Sequence, residues 1–308
     1  MGFAIDKYIH ITALKLTAFQ EYNYRVAYSK IELVNSIDEI EHPVIREVLR
    51  DYQFRDRLDI SVMSDLPASG SGLGSSSAFT VGFINLMTNI LRKKCTKSDI
   101  ARLAIRAERE LLNENVGVQD QLHAAVGGIN RFDFEGDRIR ITPVQVSGDV
   151  LELLRQHMVL VHTGIARRAT STVAEQIAAT KAKTIDDDLS QLYDLVGKCV
   201  EALESPGSDL LPMLGAMLYA SWKVKRGLSS SVSNSDIDEL FRLIDASGSY
   251  GAKLCGAGGG GFFLALVPPE RQAKLRELVQ PRAVIPIDID VHGTTLVYHA
   301  DGSGATAR

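Results

Sequence analysis

The residues best equipped for chemistry cluster in Asp65-Leu-Pro-Ala-Ser-Gly-Ser-Gly-Leu-Gly-Ser-Ser-Ser-Ala-Phe79, which holds three glycines and five serines and no charge after Asp65. Glycine permits positive φ angles and close backbone approach. A helix that follows offers free N–H groups and the positive end of its dipole. Such a loop can wrap its backbone around an anion, and the ligand it suits is a phosphate. The competing reading is a flexible Gly/Ser connection. Placement between a strand and an amphipathic helix favours the phosphate. The Walker pattern G-x-x-x-x-G-K-[ST] is absent, since the next lysine is Lys93. The nucleophile elbow G-x-S-x-G is absent too, because Ser71 has Ser69 and Leu73 two positions away.

A second cluster, Lys253-Leu-Cys-Gly-Ala-Gly-Gly-Gly-Gly261, formally satisfies G-x-G-x-x-G at Gly256, Gly258 and Gly261. That motif should follow a strand and open a helix. This one opens a strand, so a dinucleotide fold is not implied. Two readings remain: a tight backbone crossing in the core, or a second backbone wall around a nucleotide or acceptor.

The elements that must position these loops follow from periodicity. Leu58, Ile60 and Val62 alternate with Asp59 and Ser61, the pattern of a half-buried strand. Phe79, Phe83, Leu86, Met87 and Ile90 fall at helical spacing. Strand material is expected from Phe3 to Leu16 and from Tyr22 to Ile31, and Pro43 suits the start of a short helix. Ser98 is the expected cap of the next helix, and Ser235 with Asp238 reads as a capping box. Final strands are expected near 284–289 and 295–299. Loose alternation without a regular βαβ repeat implies an α+β protein of two parts, with domains expected at 1–150 and 151–308.

Composition narrows the class. The 308 residues are 45% hydrophobic and 23% charged, as in an ordinary globular protein. A net charge of −4 argues against general nucleic-acid binding. Three scattered cysteines imply no disulfide frame. No apolar run reaches membrane-spanning length, and the first residues do not read as a signal peptide. The expectation is a cytoplasmic protein with no nucleic-acid or membrane partner. Oligomeric state is open, with a homodimer as the candidate.

Ala4-Ile-Asp-Lys-Tyr8, Gly72-Leu-Gly-Ser-Ser-Ser77, Glu114-Asn-Val-Gly-Val-Gln-Asp-Gln121, His162-Thr-Gly-Ile165 and Lys253 to Phe262 occur in that order. Together they resemble the GHMP kinase superfamily, and within it the bacterial D-glycero-D-manno-heptose 7-phosphate kinases. The resemblance implies an N-terminal domain like ribosomal protein S5 domain 2 and a ferredoxin-like C-terminal domain. It implies ATP with Mg²⁺ and transfer to the anomeric hydroxyl of a sugar phosphate.

The ATP phosphates would lie against Gly70, Gly72, Leu73, Gly74, Ser75, Ser76 and Ser77. Ser76, with Ser75 as second choice, and Glu108 match the metal ligands; the alternative for Glu108 is an exposed carboxylate paired with Arg109 or Arg102. Asp120 matches the catalytic aspartate, which takes the proton of the attacking hydroxyl; its alternative is a loop cap. Arg167, with Gly256, Gly258 and Gly259, would meet the acceptor, a guanidinium fork suiting its phosphate. Trp222 is expected in the core, and Lys225 is a candidate phosphate contact.

Two departures accompany the resemblance. The family's opening strand and glycine-rich turn with Asp have no counterpart before Ala4, so the fold is expected to lack that first strand and motif. Pro67 to Gly72 is one residue longer than the family spacing. A kinase for another sugar such as fucose, and a non-catalytic nucleotide- or sugar-binding protein, remain as alternatives.

Overall fold

A computed structural model describes residues 1–66, 70–136, 138–165, 170–229 and 231–299. In chain order the elements are β1 (Gly2–Phe3), β2 (Ile9–Lys15), β3 (Tyr24–Ala27), β4 (Ile31–Val34), α1 (Pro43–Asp51), β5 (Leu58–Ser64), α2 (Ser75–Ile90), α3 (Lys97–Arg106), α4 (Gln119–Val126), β6 (Ile129–Glu135) and β7 (Arg138–Pro143). They continue as α5 (Gly148–His157), β8 (Met158–His162), α6 (Thr170–Lys181), α7 (Asp186–Glu204), α8 (Leu210–Gly227), α9 (Ser235–Ala246), β9 (Gly251–Leu254), β10 (Phe262–Leu266), α10 (Gln272–Val279) and β11 (Val284–Pro286). By contacts they fall into two compact units. One comprises 1–6, 67–74 and 128–290; the other comprises 7–66, 75–127 and 291–308. The expected boundary at 150/151 therefore lies inside the first of these.

The unit built on 7–66 and 75–127 contains one sheet, in the order β2-β5-β3-β4. β2 runs antiparallel to β5, from Ile9 opposite Ser64 to Lys15 opposite Leu58. β3 lies parallel on the other side of β5. Leu58 and Ile60 point into the core as their alternation requires. α2 packs against β2, α3 and α4, burying Phe79, Phe83, Ile84 and Met87. α3 begins at a reciprocal capping box. The Thr96 side chain accepts from the Asp99 amide, and the Asp99 carboxylate accepts from the Thr96 amide. Thr96, not Ser98, is thus the cap, because only Thr96 has a carboxylate three positions ahead.

α3 does not end in an ordinary turn. Residues 107–111 widen into a π-turn, closed by the Leu112 amide donating to the Ala107 carbonyl at 3.0 Å. Such insertions are frequent at functional sites.

In the other unit, β1 adds to the β6–β7 hairpin, Phe3 pairing with Ile129. A second, fully antiparallel sheet has the order β11-β8-β10-β9. Counting its strands in chain order gives 4-1-3-2 with helices in both crossovers, the ferredoxin-like arrangement. Its core gathers Val159, Val161, Leu240 and Phe263 around fully buried Trp222, whose ring meets Phe263 edge-on at 5.5 Å. Trp222 is a packing residue, as expected. Asn234 caps α9, its Oδ1 accepting from the Asp236 and Ile237 amides. Asp238 is drawn instead to Arg226 and Ser233, so Ser235–Asp238 is not the box. Residues 295–299 form no strand. Among the described residues no helix is long and apolar enough to cross a membrane, and the three cysteines are free thiols.

Candidate active site

The two glycine clusters, far apart in sequence, meet backbone to backbone in the unit formed by 1–6, 67–74 and 128–290. Gly72 has φ +70° and Gly256 φ +63°. A Cβ on Gly256 would stand 2.6 Å from the Gly72 carbonyl oxygen, and one on Gly261 would stand 2.2 Å from that of Ser71. No side chain fits such an approach, which is what glycine supplies at these positions. Ser71 is buried, and its Oγ accepts from the Leu73 amide at 3.3 Å.

Much of the second cluster's hydrogen bonding goes to neighbouring loops of the same unit. The Gly259 amide donates to Val232, the Gly261 amide donates to Ile165, and the Gly261 carbonyl accepts from Thr163. Gly258 lies against Val232, where a Cβ would come within 2.8 Å of its Cα. Lys225 Nζ donates to the carbonyls of Leu254, at 3.1 Å, and Gly256. An ammonium read from sequence as a phosphate contact therefore fastens the strand end that carries Gly256.

The unit containing 75–127 has an acidic cluster of its own. Ser75 and Ser76 open α2, with Ser76 exposed and Ser77 buried. Ser77 Oγ donates to Glu108 Oε2 at 3.0 Å, and Gln121 Nε2 donates to the same oxygen. Glu108 is 1% exposed, and its Oε1 has no hydrogen-bond partner among the described residues. Burial pushes its carboxyl above the ordinary carboxylate range, and the hydrogen bonds from Gln121 and Ser77 pull it partly back.

Glu108 is inside because it continues the buried face of α3, four residues after Ala104 and eight after Ile100. Its neighbour Glu110 stays outside, 3.5 Å from Arg106, and Arg109 turns to the Val116 carbonyl. The surface pairing weighed for Glu108 does not form. Ser77, rather than Ser76, is the serine the structure brings to Glu108. Gln121 joins this cluster with no signal beyond its place beside Asp120.

Asp120 is exposed in the first turn of α4, where the positive end of the helix dipole favours a carboxylate. Adjacent positions at a helix start point apart, so Asp120 faces outward while Gln121 reaches Glu108. Arg167 and residues 67–69 lie outside the described residues.

No group of three or more His, Cys, Asp or Glu gathers for a metal among the described residues. Mg²⁺ does not need one, since it is bound through one or two carboxylates plus substrate phosphates. An orphaned carboxylate oxygen on Glu108 beside the Ser77 hydroxyl fits that requirement.

Comparison with known proteins gives two family matches. The GHMP kinases N terminal domain matches residues 39–128, and the GHMP kinases C terminal domain matches 199–280. The D-glycero-alpha-D-manno-heptose 7-phosphate kinase of Campylobacter jejuni is 28% identical over 296 residues, covering 89% of this chain and 83% of that protein. The bifunctional fucokinase/GDP-fucose pyrophosphorylase of Arabidopsis thaliana is 28% identical over 238 residues, 75% of this chain but 22% of that protein. A solved structure described as a D-glycero-D-manno-heptose 1-phosphate kinase from Bacteriodes thetaiotaomicron superposes with a TM-score of 0.67 at 22% identity, covering 94% of this chain and 86% of that one.

Proposed function

We propose, because this chain belongs to the GHMP kinase superfamily, that it transfers the γ-phosphoryl group of ATP to the anomeric hydroxyl of D-glycero-D-manno-heptose 7-phosphate. The class of reaction follows from the family: the chain is a phosphotransferase with an alcohol acceptor, a sugar kinase. The observation that carries the choice of sugar is the similarity to the Campylobacter jejuni kinase along nearly the whole of both chains.

In this reading the backbone from Gly70 to Ser77 holds the ATP phosphates. Glu108, with Ser77 or Ser76, holds Mg²⁺, which supplies positive charge against the phosphates. Asp120 orients the anomeric hydroxyl and accepts its proton. The hydroxyl oxygen bonds to the γ-phosphorus, and the bond from that phosphorus to the departing ADP oxygen breaks. Positioning and charge stabilisation provide most of the acceleration, as in phosphoryl transfer generally. Arg167 is assigned the acceptor's own phosphate, and Gly256, Gly258 and Gly259 the wall behind it. The protein works as a soluble cytoplasmic enzyme on two small molecules.

A second reading, a kinase for free fucose, draws on the Arabidopsis similarity. ADP release with Mg-ATP and either heptose 7-phosphate or fucose separates the two. Turnover with the heptose phosphate alone supports the proposal, and turnover with fucose alone replaces it. Nucleotide binding without ADP release from either sugar refutes both.

A further inference from the structure

We infer that the C-terminal end of α2 and the turn after it form a second anion site that takes a phosphate-bearing small molecule. The site lies in the unit containing 75–127 and 291–308. A cavity of about 510 Å³ opens there, within the size range of small-molecule pockets. α2 is 16 residues long, so the cavity is about 24 Å along the helix from Ser75. It is separate from the Ser77–Glu108 cluster.

α2 is an apolar helix with one polar stripe. Asn85, Thr88 and Asn89 recur at the spacing of a single helix face, Arg92 follows just past the helix end, and all four line the cavity. Asn85 and Thr88 are 9% and 1% exposed. Buried polar side chains are costly unless they are hydrogen-bonded, and these hold one another. Thr88 Oγ1 and Asn89 Nδ2 both donate to the Asn85 carbonyl at 2.8 Å. Asn85 Nδ2 donates to Thr294 at 2.9 Å. The floor is therefore rigid and polar before any ligand arrives.

Charge decides what would occupy it. Arg92, Lys93 and Lys94 are consecutive and exposed at the rim. Arg92 takes φ +53°, and the turn is closed by the Lys93 amide donating to the Thr88 carbonyl at 2.8 Å. Lys93 is steadied over the Tyr52 ring at 4.6 Å. Among the described residues the lining contains one acid, Asp99, and its carboxylate is occupied by the amide and hydroxyl of Thr96. A protein of net charge −4 thus brings Arg92 and Lys94 to one concavity, with the Lys93 ammonium beside it over Tyr52. Guanidinium and ammonium groups there suit phosphate oxygens, while the amide floor suits a polar body.

Pyrophosphate is the probe, and hydrogen–deuterium exchange of residues 85–99 is the readout. Millimolar pyrophosphate should slow exchange there in the wild-type chain. The triple variant Arg92→Gln/Lys93→Gln/Lys94→Gln should raise the half-saturating concentration by about tenfold or more, with kinase turnover within about twofold of wild type. ADP and a sugar phosphate, run as parallel arms, tell a nucleotide source from a sugar source by which protects 85–99 at the lower concentration. Absence of protection, equal protection in the triple variant, or equal protection by chloride at matched ionic strength would overturn the inference.

Discussion

Glu108→Gln should stabilise the ligand-free protein while removing its response to magnesium. Glutamine can place its carbonyl oxygen where Glu108 Oε2 accepts from Ser77 and Gln121. Its neutral amide then replaces Oε1, the oxygen without a partner. Leaving a buried polar atom unpaired costs about 1–3 kcal/mol. The amide also lacks a partner but carries no charge, so we expect a gain of about 1 kcal/mol. For a chain of this length that is on the order of 2 °C in Tm.

The pH dependence gives an internal check. Because burial raises the Glu108 pKa above its unfolded value, the folded state binds more protons than the unfolded one in that interval. Its penalty is absent below the unfolded pKa and appears as pH rises through the folded one. The Tm gap between variant and wild type should therefore be widest near neutrality and close toward pH 4.5, the ordinary value. Scanning calorimetry with and without Mg-ATP measures both effects. A variant less stable than wild type without ligand, or one stabilised as much by Mg-ATP, would refute the assignment of Glu108 as a strained, metal-ready carboxylate.

Three further outcomes are expected. Asp120→Asn should lower kcat by roughly 10²–10⁴, the range of general-base contributions, with ATP affinity by calorimetry unchanged; wild-type turnover would remove Asp120 from the chemistry. Gly256→Ala forces a Cβ to within 2.6 Å of the Gly72 carbonyl at a positive φ, so Tm and ATP affinity should fall together, and unchanged ATP binding would separate this contact from the phosphate loop. His123 is held down to about 4 by burial, against an ordinary 6.5. The unfolded chain then binds the extra proton first, and stability should fall as pH drops from 6.5 toward 4, by on the order of 3 kcal/mol in all. His123→Gln should flatten that part of a urea-midpoint profile, and an unchanged slope would exclude His123 as its source.

Local signals in the sequence were strong where local physics decides the outcome. Alternation at Leu58 to Val62 marked β5, and the apolar spacing after Ser77 marked α2. Both glycine clusters were visible as departures from ordinary composition. The burial of Glu108 was legible in its spacing, four residues after Ala104 on the apolar stripe of α3, but a glutamate there reads by residue type as a solvated charge. Ser98 and Ser235 looked like caps on residue type alone, yet Thr96 and Asn234 hold those positions through geometry. The meeting of Gly72 with Gly256, and the threading of the chain between two units, are long-range facts that no window of sequence contains.

The contact between Gly72 and Gly256 also sets a timetable for synthesis. The loop around Gly72 leaves the ribosome early, but the backbone it rests on is made only when most of the chain has been translated. Contacts so remote in sequence close slowly. Until then Ser71 and Gly72 are without the backbone that Gly256 and Gly261 bring against them. If the loop around Gly72 holds ATP as proposed, a ribosome stalled before Gly256 would carry a product whose loop lacks that backing, and it should bind ATP more weakly than the finished chain.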